Sequence, residues 1–568
     1  MKQSCLFIVA VALAGAVLPA NGQPVELVFR DTIKNTLGES VVFDAFTSTA
    51  FGNAAQGVEY STIDATLQFG TLGAIDLNTY VTTNIAGFTF GGVSGVDTDP
   101  LGRGFGVAAV INNTGAGSSV GAAVFFNTIS KTVIGHQLVG FHPDMVTFNP
   151  TGTSVLVANE SDNRAANGDS NPGSISNINV SSVTNTLDFS GVGTTTVGFS
   201  GLSAAQLTGV RDHGAAMNRN NGLPSDTLPN INRIEPEYIS VSGNIAYVTL
   251  QEANSVGVFD IPSNTWTGIQ KLAPNLQTID ARNNSSIGVT DTIATLAQPD
   301  AIVSFTIGSN TYYATANEGD YRDNDVDRRN GSAFTIQDGL VGGIDPTYDV
   351  ALDALYSGNW QASAAQGGLG GTRFLNNVGD LDGDGDIDQL TIGGSRSMSI
   401  FDAATGMILF DTNDLAGFGG FETWIAANDA PGFNINQSGT TIDTRSRDKG
   451  PEPEALALGE FDGDLYALVG MERTNHLFLF RLASDVGFAS AFDSSNVEFI
   501  DAIRWAGEFG PETIDFVSAT NSPSGVPFFL VGSESSTSWA IYTIPEPATS
   551  ALVIGALGCL LARRRRRA

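Results

Sequence analysis

The run GDLDGDGDIDQLTIGG beginning at Gly379 sets carboxylates at alternating positions, Asp380, Asp382 and Asp384, follows them with Gly385, and closes on Asp388. This D-x-D-x-D-G-x-x-D spacing suits a hard cation. Calcium takes six to eight oxygen ligands at flexible angles, and a tight loop turns alternate carboxylates toward one point. Gly385 permits the sharp turn, and Asp386 offers its backbone carbonyl as a further ligand. Without an ion these acids would repel one another. The loop is expected to hold structural calcium, with another divalent metal as the alternative and a solvated acidic turn as the bland reading. It is not an EF-hand, because Thr391 stands where that loop needs a bidentate Glu.

A second set of carboxylates recurs with a short unit. HPDMVTFNPTGTSVLVANES carries Asp144 after a proline and Glu160 at the end of its second strand. The same two places are taken by Glu237 and Glu252, by Asp300 and Glu318, by Glu454 and Glu472, and by Glu512 and Glu534. The start of one strand and the end of its antiparallel partner lie at the same end of a hairpin. These acids should therefore share one face. Basic residues close in sequence are Arg322, Arg445, Arg447, Lys449 and Arg473, candidate contacts for an anion or partners for the acids. Two readings stand open: strand-end carboxylates paired with Arg, Lys or backbone N–H, or a site for a cation or a phosphate-bearing ligand.

The elements that must position these residues are short alternating strands punctuated by Gly, Asn and Asp. Two looser copies, Gly393 to Thr412 and the region around Arg103 to Asn113, bring the repeats to seven. No helical pattern lies between them. The spacing predicts an all-β chain, a β-propeller most simply of seven blades, with a pair of β-sandwiches as the alternative. Residues 23–92 read as a strand-rich segment that either closes the ring or forms an accessory sheet, and 93–544 as the propeller. Asp162 to Pro172, Asn218 to Asn232 and Asn275 to Ile293 read as surface loops. Tyr321 to Asn377 is the longest insertion, with a short helix expected over Tyr348 to Tyr356.

The chain's 568 residues carry a net charge of −32, which repels nucleic acid and anionic membrane and attracts cations. Nucleic-acid binding is excluded. Residues 1–22 have the Lys2, apolar run and small residues of a secretory signal. Both cysteines, Cys5 and Cys559, fall in the terminal segments, so the body has no disulfide framework and no thiolate metal site. Residues 545–568 run Pro-Glu-Pro, a short apolar stretch, then Arg563 to Arg567. The arginines would stay cytoplasmic.

That tail resembles the bacterial PEP-CTERM sorting signal. The resemblance implies a sorting protease as partner, transient passage through the inner membrane, and a final place at the cell surface or outside the cell. The aspartate loop resembles the calcium loops on hairpins of integrin-α-type propellers. The segments LVGFHPDMVTFNPTGTSVLVANE, RIEPEYISVSGNIAYVTLQEANSVGVFDI, QPDAIVSFTIGSNTYYATANEGDYRD, GSRSMSIFDAATG and DKGPEPEALALGEFDGDLYALVGMERTNHLFLF resemble the choice-of-anchor I family from about Leu138 to Ile544. That family is similar to the mesenchyme-specific cell-surface glycoproteins of biomineralisation. The resemblance implies an exported scaffold that meets extracellular matrix or a cationic ligand. Some members are labelled alkaline phosphatases, which makes a metal-dependent phosphatase or phosphodiesterase the rival reading. Asp212-His213 and Asp443 to Lys449 are the only nucleophile-and-base candidates for it.

Overall fold

A computed structural model describes residues 26–113, 119–160, 171–208, 210–211, 231–321, 327–336, 347–348, 355–356, 360–379, 381 and 387–544. The expected signal, the sorting tail, Arg322, Asp212-His213, and Asp380, Asp382, Asp384 and Asp386 lie outside these residues, as does most of the helix expected over Tyr348 to Tyr356. No helix among the described residues is long and apolar enough to cross a membrane. Leu27–Thr543 form one compact unit.

Alternation of apolar and small residues makes each repeat a four-stranded antiparallel meander, and the described residues hold seven such sheets. Their innermost strands are Val41–Asp44, Phe90–Thr98, Pro143–Phe148, Ile239–Ser242, Ile302–Ile307, Pro453–Phe461 and Pro511–Val517. Each packs on the next, and Pro511–Val517 packs on Val41–Asp44. The result is a closed ring, a β-propeller. Facing sheets bury their apolar sides between them: Phe51, Val96, Val110 and Phe126 fill one interface, and Phe421, Val469, Phe478 and Phe480 another. Each fully buried Phe, Leu or Val contributes about 1.5–3 kcal/mol, so the ring is held by its radial interfaces without a disulfide.

The last sheet is completed by the first strand of the chain. Val28–Lys34 lies antiparallel to Ser538–Thr543, with Ile33 opposite Trp539 and Thr32 opposite Ala540. The two ends of the ring are thus joined by a ladder of backbone hydrogen bonds, and the outer edge of Ser538–Thr543 is covered.

Several expectations are corrected. Residues 41–76 form a sheet of their own although they lack the proline–acid signature. Conversely, Gly393 to Thr412 is not a separate repeat. Ser397–Asp402 and Ile408–Asp411 are the outer strands of the sheet begun by Ile302–Ile307 and Asn310–Asn317, parted from them by the insertion 318–396. Asn275 to Ile293 is not a bare loop: Asn275–Ile279 pairs with Asp291–Thr295, which in turn pairs in parallel with Thr391–Ile392. Two eight-residue helices, Leu77–Asn84 and Phe421–Asn428, stand where the sequence shows no helical pattern.

In a meander the turn between the second and third strands and the connection to the next sheet emerge at the same end. The long segments 198–238, 272–301, 318–396 and 412–452 all leave the ring there, whereas the opposite end has short turns such as 149–153 and 462–463. One mouth of the ring is therefore walled by elaborate connections. It is the mouth that bears the repeated acids.

An acid-lined mouth on the propeller axis

Proline at the start of an innermost strand has no N–H for the ladder, and the pairing slips beside it. The register shifts between Pro143 and Val146, between Pro453 and Leu456, and between Pro511 and Thr513. Asp144, Glu454 and Glu512 lie inside these slips, each directly after its proline. Freed from the regular pleat, these side chains line a cavity of about 550 Å³ together with Glu39, Glu160, Glu237, Asp300, Glu318, Asp320, Glu472 and Glu534. Of the ten acids expected on one face, Glu252 alone is not in the cavity wall. It is buried just beneath, and its backbone carbonyl accepts from Arg211.

One side of the mouth is ion-paired. Lys449 Nζ lies 2.5 Å from Glu318 Oε1, 3.3 Å from Glu452 Oε2 and 3.8 Å from Asp320 Oδ1. Arg473 Nε donates to Glu452 Oε2 at 3.0 Å, and its Nη1 lies 2.7 Å from Glu472 Oε1. Arg445 Nε donates to Glu452 Oε1 at 2.8 Å. Glu452 is the fully buried centre of this network. Burial pushes its carboxyl up, but Lys449, Arg445 and Arg473 outweigh burial and hold it down at about 2. Burial likewise opposes the charge on Lys449, and Glu318, Glu452 and Asp320 overcome it to hold that ammonium well above its usual range.

The network stands on a buried arginine. Arg396, 1% exposed, donates to Asp280 O, Glu422 Oε1 and Ser446 O at 2.7 Å each and to Asp448 O at 2.9 Å. It fixes the 445–450 turn that presents Lys449. Gly450, at φ +69°, passes so close that a Cβ there would lie 2.8 Å from the Arg396 side chain, so this turn has no room for another residue.

Among the described residues the other side of the mouth has no such cations. No N–H or hydroxyl of these residues reaches the buried Glu237 Oε2, Glu454 Oε2 or Glu512 Oε2, and the Glu454 carboxyl hydrogen-bonds to those of Glu472 and Glu512. Burial first, then Glu472, Glu512 and further acids, pushes the Glu454 carboxyl well above its usual range. Glu237 and Asp300 are raised well above theirs by burial and then by neighbouring acids, Glu252 and Glu318 first. Asp144, raised to about 7 by burial and by Glu160, sits beside the His142–Glu160 pair, where Nδ1 and Oε2 are 2.6 Å apart. Oxygen atoms of Asp300, Glu318 and Glu454 fall within 4.8 Å of one another, as do those of Glu454, Glu472 and Glu512, and those of Glu318, Glu452 and Glu472.

The remaining candidates divide. Arg447 does not reach the mouth. The turn that aims Lys449 inward sends Arg447 outward, where it is exposed and lines a separate cavity of about 510 Å³ with Arg282 and Asn330. Asp443 is buried and accepts from the backbone N–H of Asn284 at 2.7 Å and of Ser286 at 3.3 Å, so it fastens a loop. Of the aspartate loop, Asp388 is described. Its N–H donates to Gly379 O at 2.8 Å and its Oδ2 accepts from Leu381 N at 2.5 Å, which draws the two ends of the loop together. Sequence reasoning missed Glu39 and Glu452. Glu39, raised to about 7 by burial and by Asp144, comes from the sheet without the proline–acid start. Glu452 lies in the very motif Pro-Glu-Pro-Glu that drew attention to Glu454.

Fold and site together define a β-propeller with an acid-walled axial mouth, one side of it neutralised from within. The choice-of-anchor I domain family matches residues 29–485, and the chain belongs to that family. The match begins far upstream of Leu138, where the readable motifs start, and stops before the last sheet's inner strands. Among solved structures, hydrazine synthase of Kuenenia stuttgartiensis is similar at 11% identity and TM-score 0.42 over 91% of this chain and 97% of that one. The β-propeller domain of Myceliophteria thermophila Cps50 (Swd1) is similar at 8% and 0.39, over 92% and 100%. A chain of the mitotic checkpoint complex follows at 10% and 0.39, over 96% and 100%. Likeness at this level carries nothing about function. No curated protein matches the sequence.

Proposed function

We propose that this protein is an exported cell-surface scaffold, a seven-bladed propeller in which each four-stranded sheet is one blade, and that its axial mouth engages a cationic ligand. The observation that carries the reading is the imbalance at the mouth. Lys449, Arg445 and Arg473 serve Glu318, Glu452 and Glu472, while among the described residues no cation pairs with Glu237, Glu454 or Glu512, each of which keeps a buried oxygen that no N–H or hydroxyl reaches. Buried carboxylates without partners are costly, and a ligand that supplies positive charge relieves that cost. The family, the secretory signal of residues 1–22 and the tail of residues 545–568 support an exported, surface-sorted chain. The loop Asp380–Asp388 supplies a structural calcium site.

A second reading has one observation in its favour: carboxylates within ligand distance stand beside Lys449 and Arg473, as a metal-dependent phosphatase would need. The two part on turnover. Mature protein, prepared from a host with the sorting protease, is fractionated and assayed on a phosphate monoester and a diester with calcium, manganese or zinc. The scaffold reading expects surface or extracellular protein without metal-dependent turnover. Turnover that disappears in Glu454→Gln with the melting temperature unchanged would falsify it.

A further inference from the structure

We infer that the cationic ligand of the mouth is a pair of calcium-class ions in adjacent sites that share Glu454. One is held by Asp300, Glu318 and Glu454, the other by Glu454, Glu472 and Glu512. The inference rests on the reading of the mouth as a cation-binding surface and names what binds there.

In three groupings of carboxylates one oxygen of each residue lies within 4.8 Å of the others. A hard ion with ligands at 2.3–2.6 Å spans oxygens up to about 5 Å apart, so all three groupings have the right aperture. In Glu318–Glu452–Glu472 the protein fills it with its own cations, Lys449 Nζ at 3.3 Å and Arg473 Nε at 3.0 Å from Glu452 Oε2. In the other two, Lys449 at 2.5 Å engages Glu318 and Arg473 at 2.7 Å engages Glu472, while among the described residues no cation pairs with Asp300, Glu454 or Glu512. Glu454, only 9% exposed, and Glu512 each present there an oxygen that no N–H or hydroxyl reaches. A third such oxygen comes from Glu237, 8% exposed, on the same cavity wall and outside both groupings.

Charge points the same way. Lys449 and Arg473 are shared among Glu318, Glu452 and Glu472, so the mouth keeps an excess of acids: Asp300, Glu454 and Glu512 in the two groupings, with Glu39, Asp144, Glu237 and Glu534 on the same wall. Divalent ions reduce that excess. The donor set is all carboxylate, with no His or Cys, which selects a hard cation over zinc or copper. The larger, irregularly coordinated calcium suits side chains from three different sheets better than magnesium, which demands near-ideal octahedral geometry.

The test is calcium titration of the chelator-stripped exported chain by calorimetry, with magnesium as the competing probe. It is done in an Asp382→Ala/Asp384→Ala background, so that the aspartate loop contributes nothing. Two calcium ions per chain are expected. Glu454→Gln should weaken both at least 10-fold, Asp300→Asn only one, and Glu512→Gln only the other. Circular dichroism checks each fold, and should Glu454→Gln fail to fold, the other two variants still report. No bound calcium, binding indifferent to all three substitutions, a single ion that responds to all three, or magnesium bound as tightly as calcium would overturn the inference. Retention on a polylysine surface separates this failure from that of the broader reading. A chain that binds no calcium at the mouth but is retained in a Glu454-dependent way keeps the function and loses the ions; a chain that does neither loses both.

Discussion

Glu452→Gln should cost this propeller about 3 kcal/mol at neutral pH. The side chain is fully buried, and its oxygens receive Arg445 Nε at 2.8 Å, Arg473 Nε at 3.0 Å and Lys449 Nζ at 3.3 Å. Those partners hold the carboxyl down from its ordinary 4.5 to about 2. At about 1.4 kcal/mol per pH unit, that drop is worth about 3 kcal/mol to the folded state. The mutational estimate agrees, since removing one member of a buried ion pair costs about 3–5 kcal/mol by leaving its partners uncompensated. Gln keeps the volume and tolerates the left-handed backbone at φ +56° as Glu does. The sign follows from a depressed carboxyl: its contribution is complete above pH 4.5 and fades as the pH falls toward 2. Urea unfolding of parent and variant should therefore differ by about 3 kcal/mol at pH 7 and converge as the pH falls to about 2. A difference under about 0.5 kcal/mol at pH 7, or one that persists at pH 2, would refute the claim that Glu452 is the electrostatic centre of the mouth.

Other perturbations follow from the same structure. Arg396→Ala strands the buried Glu422 carboxylate and the Ser446 and Asp448 carbonyls, so a loss of about 3–5 kcal/mol in denaturant unfolding is expected, and a loss below 1 kcal/mol would contradict its role beneath Lys449. Asp97 and Glu39 are raised to about 7 and Asp515 to about 6, chiefly by burial, so the folded chain binds extra protons; in chelator its melting temperature should fall as the pH rises from 4 to 7.5, and a flat profile would argue that these groups stay solvated. Removal of residues 1–34 takes away the strand that covers Ser538–Thr543, so the shortened chain should melt lower and self-associate on light scattering, whereas an unaltered monomer would show that ring closure does not depend on it. Calcium at 100 times the dissociation constant of the Asp380–Asp388 loop should add about 2.7 kcal/mol, read as a higher melting temperature that Asp382→Ala/Asp384→Ala reduces. A parent whose melting temperature ignores chelator would sink the calcium of both the loop and the mouth.

The all-β fold and much of the mouth were legible because function and repeat coincide. A proline that cannot join the ladder is followed at once by the acid that the slipped register turns inward, and this happens at Asp144, Glu454 and Glu512. Where the coincidence fails, so does the reading. The sheet of residues 41–76 starts Ser40-Val41 without a proline, and its acid, Glu39, precedes the strand. The outer strands Ser397–Asp402 and Ile408–Asp411 look like a fresh hairpin because the insertion 318–396 hides the partner they complete. Where the backbone rejoins, Gly319 and Gly394 pass so closely that a Cβ would meet backbone at 2.2 Å or less, and spacing alone does not reveal such a contact. Arg447 and Lys449 look equivalent in sequence, and only the turn between them decides that one faces the mouth and the other solvent. Charge balance was out of reach for a similar reason: Glu452 and Glu454 are two residues apart, yet one carboxyl is held at about 2 and the other well above its usual range, by partners brought from distant segments.

The most direct test of the acid-walled mouth as a cation site is anomalous diffraction at long wavelength from crystals of the exported chain grown with calcium. The expected result is two adjacent anomalous peaks on the propeller axis, one among Asp300, Glu318 and Glu454 and one among Glu454, Glu472 and Glu512, with Lys449 still seated on Glu318 and Glu452. Anomalous density confined to the Asp380–Asp388 loop, with the mouth empty at saturating calcium, would contradict it.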